Sequence, residues 1–168
     1  MTKFLYFKDA VLHYENNIEV LNLPKVTSEE EIISIEKKLG LKFPSAYREF
    51  LALMESNMSD LFTGSNCNIN DLEENHSALV ELFNENNVEY EVLNNCLVFY
   101  MHQGYIAFWF IINGEDDPIC YGYSEGEEMK KEKELGKFSV YMSNVITEAI
   151  DNRIILLSQK RKPWWKFK

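Results

Sequence analysis

The run Tyr105-Ile-Ala-Phe-Trp-Phe-Ile-Ile112 constrains this chain more than any other segment. In a strand, successive side chains point to opposite faces. Tyr105, Ala107, Trp109 and Ile111 then share one face, and Ile106, Phe108, Phe110 and Ile112 share the other. Antiparallel strands normally keep one face wet, and this one has no wet face. Either helices cover both sides, which is the expectation, or one side is an exposed apolar platform awaiting a partner. In the platform arrangement Trp109 and Tyr105 would be the anchors, because aromatic side chains dominate interface energetics.

The flanking sequence places that strand in an antiparallel meander. Cys96 to Met101 is a compact apolar run, and His102-Gln-Gly104 is a turn. Asn113-Gly114 is a second turn signal, and Ile119 to Tyr123 is a third run, opened by Pro118 at a position that strands tolerate.

Helices precede and follow the meander. Thr27 to Leu39 predicts a helix: Thr27 with Glu30, and Ser28 with Glu31, have capping-box spacing. Glu29, Glu30 and Glu31 put negative charge at its positive end, and Gly40 is a natural stop. Ile32, Ile35 and Leu39 lie on one face. Pro44 opens a second helix, in which Tyr47, Phe50, Leu51 and Met54 form one apolar stripe. A third helix is expected from about Asp71 to Phe83, with Leu79, Leu82 and Phe83 inward. A final one carries Phe138, Met142, Val145, Ile146 and Ala149, with Ser139 as its cap. Residues 56–70 read as a polar loop, and Ser124 to Lys137 as a solvated charged loop. The expected class is α+β, an antiparallel sheet packed by helices. The expected organisation is a lead-in over residues 1–26, a domain over 27–158 and a basic aromatic tail over 159–168.

Composition narrows the function. At 168 residues the chain has room for one domain with a sizeable core. The first residues, Met1-Thr-Lys-Phe-Leu-Tyr-Phe-Lys-Asp9, hold too short an apolar stretch for the core of a secretion signal, so a cytoplasmic protein is expected, with no membrane span. Cys67, Cys96 and Cys120 form no Cys-x-x-Cys pair, which favours buried reduced thiols over a disulfide framework or a zinc site. The net charge is −10, and residues 160–168 hold five of the 17 basic side chains and no acid. The remaining 12 basic groups face 27 acidic ones, leaving the body at −15. Such a body repels phosphate backbones and attracts basic partners, so a protein partner is expected and a nucleic acid is not. The basic tail could touch a membrane surface or a nucleic acid, or fold back on the acidic body.

His102 is the natural catalytic suspect, placed at a turn that a meander would set near Asp116 and Asp117. No Ser or Cys nucleophile motif accompanies it, and a turn histidine bonded to backbone is the favoured reading. Glu115, Asp116 and Asp117 lack calcium-loop spacing and read as a turn before Pro118. No enzyme, cofactor or metal is expected. Tyr105, Trp109, Tyr121 and Tyr123 form either a partner-binding patch ringed by acids or aromatic core.

Two blocks resemble a known family. Ile32, Glu36, Leu39-Gly40, Phe43-Pro44, Tyr47 and Phe50-Leu51 are similar to the helical opening of SUKH domains. Met101 to Tyr105, Asp116-Asp117-Pro118, Tyr121, Tyr123 and Glu125-Gly126 resemble the strand signature of one bacterial branch of that superfamily. The likeness covers roughly residues 27–150. It implies an α+β fold and either of two roles: neutralising toxins in bacteria or regulating cell-wall assembly in yeasts. It points to a protein-binding module, most simply an immunity protein that binds a toxin domain; the resemblance does not imply which partner, and the acidic body is what favours a basic one. The candidate contact residues are His102, Gln103, Tyr105, Trp109, Asp116, Asp117, Tyr121, Tyr123 and Glu125.

Overall fold

The computed structural model describes residues 4–17, 28–54, 62, 64–89, 95–126 and 133–160. The meander is present: strands β2 (Cys96–His102), β3 (Ile106–Ile111) and β4 (Ile119–Ser124) pair antiparallel in that order. Two further strands extend it at its edges. Ser65–Asn66 (β1) pairs with β2, and Lys133–Lys137 (β5) pairs with β4, giving the order β1-β2-β3-β4-β5.

Both edge strands fall where loops were expected. β1 is only a two-residue pairing inside a polar stretch, so it leaves no alternation to read. β5 carries Lys133, Glu134 and Lys137 outward on an outer edge, where charge discourages pairing with other chains. Its one apolar side chain, Leu135, packs against the core.

Helices cover both faces of β3, as expected. Over the Trp109 face lies α4 (Leu72–Glu85), the third of the expected helices. Leu79, Leu82 and Phe83 point down from it, and the Phe83 ring meets Trp109 edge-on at 5.6 Å. Against the other face pack α3 (Ser45–Met54) and α5 (Phe138–Lys160). Tyr47, Phe99 and Phe138 surround Phe110 with ring centroids 5.4–5.5 Å away. Trp109 and Phe110, adjacent in sequence, are both fully buried in separate clusters. The helix pattern of α3 holds at Tyr47, Phe50 and Leu51, which are buried. Met54's side chain lies outside the described residues.

The helical hairpin is fixed by polar contacts that its sequence motif supplies. In α2 (Glu29–Leu39), Ser28 Oγ accepts the Glu31 N–H at 3.2 Å. Gly40, at φ 66°, takes the left-handed conformation that ends the helix. The Thr27–Glu30 alternative lies outside the described residues. Glu36 accepts the Phe43 N–H at 2.8 Å and pairs with Arg48, which also pairs with Glu29. The glutamate one turn after Ile32 thereby locks the link between the two helices.

Residues 4–17 hold a helix that the sequence does not advertise, α1 (Lys8–Glu15). Only Ala10 within it is fully buried, so its apolar face is too narrow to produce a periodic signal. Phe7, just before it, is fully buried against Phe50 and Phe138. Glu49 of α3 holds this entry by accepting the backbone N–H groups of Leu5 and Tyr6 at 2.8 Å and of Phe7 at 3.3 Å. The apolar residues Ile18, Val20, Leu21 and Leu23, and Pro24, lie outside the described residues.

Gly122 in β4 lets the Phe110 face close. A Cβ there would stand 2.9 Å from both Leu135 Cδ1 and Phe108 Cδ1. Overpacking of this kind costs about 1–3 kcal/mol. Gly122→Ala should therefore lower the urea midpoint of unfolding with little change in slope. An unchanged midpoint would show that Leu135 and Phe108 yield freely.

Candidate functional site

The nine candidate residues separate into two ends of the sheet and a buried middle. At one end, Gln103, Gly104 and Tyr105 connect the paired His102 and Ile106, in a turn closed by the Tyr105 N–H donating to His102 O at 3.1 Å. Its central residues, Gln103 at φ 48° and Gly104 at φ 80°, are both left-handed, as the twist of a tight hairpin demands. Gly104 adopts this at no steric expense, whereas Gln103 is strained. The turn carries Gln103 into solvent and leaves Tyr105 37% exposed. Glu125, also exposed, donates its N–H to Tyr105 O at 2.8 Å, so the end of β4 lies beside the turn.

His102 is half-buried at this end. Its Nδ1 lies 2.8 Å from Ser65 Oγ, and Ser65 Oγ donates to the Tyr100 hydroxyl at 2.9 Å. Its partners are thus side chains, not the backbone expected of a turn histidine. β1 brings Ser65 here by pairing it with His102, a register that nothing in the polar loop's sequence announces. A Ser beside a His is the start of a nucleophile–base pair. Among the described residues, however, no carboxylate hydrogen-bonds the ring to orient it as a base.

Asp116 and Asp117 are at the opposite end, which corrects the expected His102–Asp neighbourhood. The turn after β2 and the loop after β3 flank β3, and its six residues separate them by roughly 20 Å. The two aspartates organise helix starts. Asp116 O accepts the Ala46 N–H at 2.9 Å, and its Oδ1 accepts the Ser45 hydroxyl at 2.6 Å, both at the start of α3. Asp117 accepts the Ser139 N–H at 2.9 Å and the Ser139 hydroxyl at 2.7 Å, at the start of α5. Ser139, expected as the cap, is instead the capped residue; the carboxylate comes from a distant loop. Pro118 O accepts the Phe138 N–H at 2.9 Å. Lys137 Nζ donates to Asp117 O at 2.8 Å and pairs with Glu115 at 2.9 Å. That hydrogen bond to Lys137 holds the Glu115 carboxyl below its ordinary value. Among the described residues, no group of three or more His, Cys, Asp or Glu side chains could hold a metal ion.

Trp109 and Tyr123 correct the platform alternative. Trp109 is fully buried and Tyr123 is 6% exposed, both packed on Phe83. Trp109 has no surface to offer a partner, and Tyr123 has little. Tyr121, half-buried, stacks on Trp109 at 6.2 Å. The exposed candidates that remain together are Gln103, Tyr105 and Glu125, with His102 behind them; Tyr121 sits further along the sheet, paired with Trp109.

The cysteines are buried and unpaired. Burial pushes the Cys67 thiol up to about 11, and those of Cys96 and Cys120 up to about 12, so none is a poised nucleophile at neutral pH.

A family model described as SMI1-KNR4 cell-wall (SUKH_6) matches residues 29–141, about two thirds of the chain. The match opens at the first residue of α2, takes in the helical hairpin and the meander, and ends in the first turn of α5. No curated protein matches the chain.

Losing a helix cap costs about 0.5–2 kcal/mol, and Asp117 provides two bonds to one. Asp117→Ala should fall at the upper end of that range in chemical unfolding, and Asp117→Asn, which retains an acceptor, nearer the lower end. Equal, negligible effects would remove the capping role.

Proposed function

The chain belongs to the SUKH superfamily, through its SMI1-KNR4 family, and on that premise we propose that it is a non-enzymatic protein-binding module: a bacterial immunity protein that binds and neutralises a cognate toxin domain. The family match is the observation that carries this reading. The charge supports a basic partner, since a body at −15 draws cationic surfaces by steering and gains association rate from it. Neutralisation of this kind needs no turnover: occupying the toxin's active site or its substrate path is enough. The proposed location is the cytoplasm.

The proposed contact face is the hairpin end of the sheet. Tyr105 offers a ring that is partly exposed and backed by His102 at 5.5 Å, the arrangement of a rigid aromatic anchor. Gln103 and Glu125 supply polar groups at its rim. Asp116 and Asp117, their carboxylates engaged with helix starts, serve this face only through the fold.

The family's cell-wall description favours a second reading, a regulatory or scaffolding module that binds a housekeeping partner. Affinity capture of the tagged protein from its source cells, with bound proteins identified by mass spectrometry, separates the two. The immunity reading predicts recovery of a toxin domain, released as salt rises. It also predicts at least tenfold weaker capture by Tyr105→Ala, the effect of losing about 1.4 kcal/mol at an anchor. Recovery of signalling or wall-synthesis proteins instead would overturn the immunity reading in favour of the second. A toxin captured equally well by Tyr105→Ala would remove the proposed face alone.

A further inference from the structure

Toward the hairpin end, α5 leaves part of the Phe110 face of the sheet open. Strand alternation puts Ile106 and Phe108 of β3, Ser124 of β4, and Lys133 and Leu135 of β5 on that face. They lie side by side, because Ile106 pairs with Ser124 and Lys133 with Gly122. Tyr141, in the first turn of α5, stands over them with its ring edge-on to Phe108 at 5.4 Å. These side chains line an open cleft of about 240 Å³. Drug-sized ligands occupy roughly 300–1,000 Å³, so this cleft has room for one ring and a substituent. Its walls are the half-buried Phe108, Tyr141, Ile106 and Leu135. Its polar groups are unengaged. Among the described residues, the side chains of Ser124, Lys133 and Tyr141 make no hydrogen bond or ion pair, whereas Lys137 of the same strand is paired with Glu115. Burial pushes the Tyr141 hydroxyl up to about 12, so it keeps its proton at neutral pH and remains a donor.

We propose that this cleft binds a small aromatic carboxylate, with its ring beside Phe108 and Tyr141 and its charge on Lys133, Ser124 and the Tyr141 hydroxyl. The walls suit the ring, since aromatic pairs gain from edge-on and offset contacts beyond the area they bury. The polar groups suit the charge. An ionised carboxylate only accepts hydrogen bonds, and the ammonium and both hydroxyls can all donate. Lysine supplies the charge-assisted bond, which is the strong one. A cationic ligand would have the rings and the body at −15 in its favour. It would also meet Lys133, and no Asp or Glu is among the described residues that line the cleft. The charge of the body acts from a distance and is screened beyond about 8 Å at physiological salt, whereas Lys133 lines the cleft itself. A neutral ring would use the walls and gain nothing from Lys133. The local donors therefore select an anion. This inference stands apart from the toxin reading and survives or fails without it.

The test is titration of the full chain with benzoate, followed by backbone amide shifts in proton–nitrogen NMR spectra. Saturable shifts at Gly122, Ser124, Lys133 and Leu135 are expected, with a Kd of about 1 mM for so small a ligand. Benzamide keeps the ring and loses the charge; acetate keeps the charge and loses the ring. Each should bind at least roughly fivefold more weakly than benzoate. Lys133→Gln should weaken benzoate roughly five- to tenfold, and Tyr141→Phe about threefold. Lys133 is exposed and Tyr141→Phe retains its ring, so an unaltered circular-dichroism melt verifies that both variants fold. The comparison of benzoate with benzamide and acetate needs no variant at all. Absence of saturable shifts at the cleft would overturn the proposal. So would benzamide binding as tightly as benzoate, or undiminished benzoate binding by Lys133→Gln. Tighter binding of benzylamine, a cation at neutral pH, would overturn it in favour of a cation site.

Discussion

A central strand that is apolar on both faces must be covered on both, and the rest of this fold follows from that demand. β3 places Trp109 in one cluster and Phe110 in the other, each fully buried. Fully burying one large apolar side chain is worth about 1.5–3 kcal/mol, whereas a typical hydrogen bond nets about 1 kcal/mol. The rings of Phe7, Tyr47, Phe50, Phe99, Phe110 and Phe138, linked by ring contacts into one cluster, therefore outweigh the polar contacts at the rim. Packing supplies the stability. The polar contacts decide where each helix begins and how it meets the sheet.

The loop after β3 shows that division of labour. Asp116 and Asp117 are exposed or half-exposed acids in a chain rich in acids, and a binding role is an obvious guess for them. Their bonds run inward, to the first residues of α3 and α5. Both helices pack on the Phe110 face, so this loop registers them against the strand that feeds it. With one end of the sheet occupied by helix starts, the hairpin end is where exposed candidates gather. The strained Gln103 and the left-handed Gly104 hold that end in a tight turn.

Much of this was legible because strong local signals agreed with the global fold. The glutamate-rich cap and Gly40 marked α2, the stripe through Tyr47, Phe50 and Leu51 marked α3, and two turn signals marked the meander. Covering both faces of β3 with helices followed from the absence of a wet face. What was not legible depended on contacts between distant residues. β1 and β5 exist because neighbouring strands offer free edges, and neither has an apolar pattern of its own. α1 is held by Phe7 and by Glu49, far along the chain. Ser139 had the right residue type for a cap, yet sequence could not show that a carboxylate twenty-two positions earlier does the capping. The candidate site suffered most. Trp109 is an interface-type residue by composition and a core residue by position. His102 and Asp116 are near in sequence but separated by the length of β3.

Both faces of β3 belong to the core, and that is why the face proposed for recognition is the turn at its end. The most direct measurement is the fluorescence of Trp109 alone, in a variant carrying Trp164→Phe and Trp165→Phe. Emission that is blue-shifted and resistant to acrylamide is the predicted result, because Trp109 has no exposed surface. Red-shifted, readily quenched emission from a folded protein would contradict it and restore the strand as an exposed binding platform.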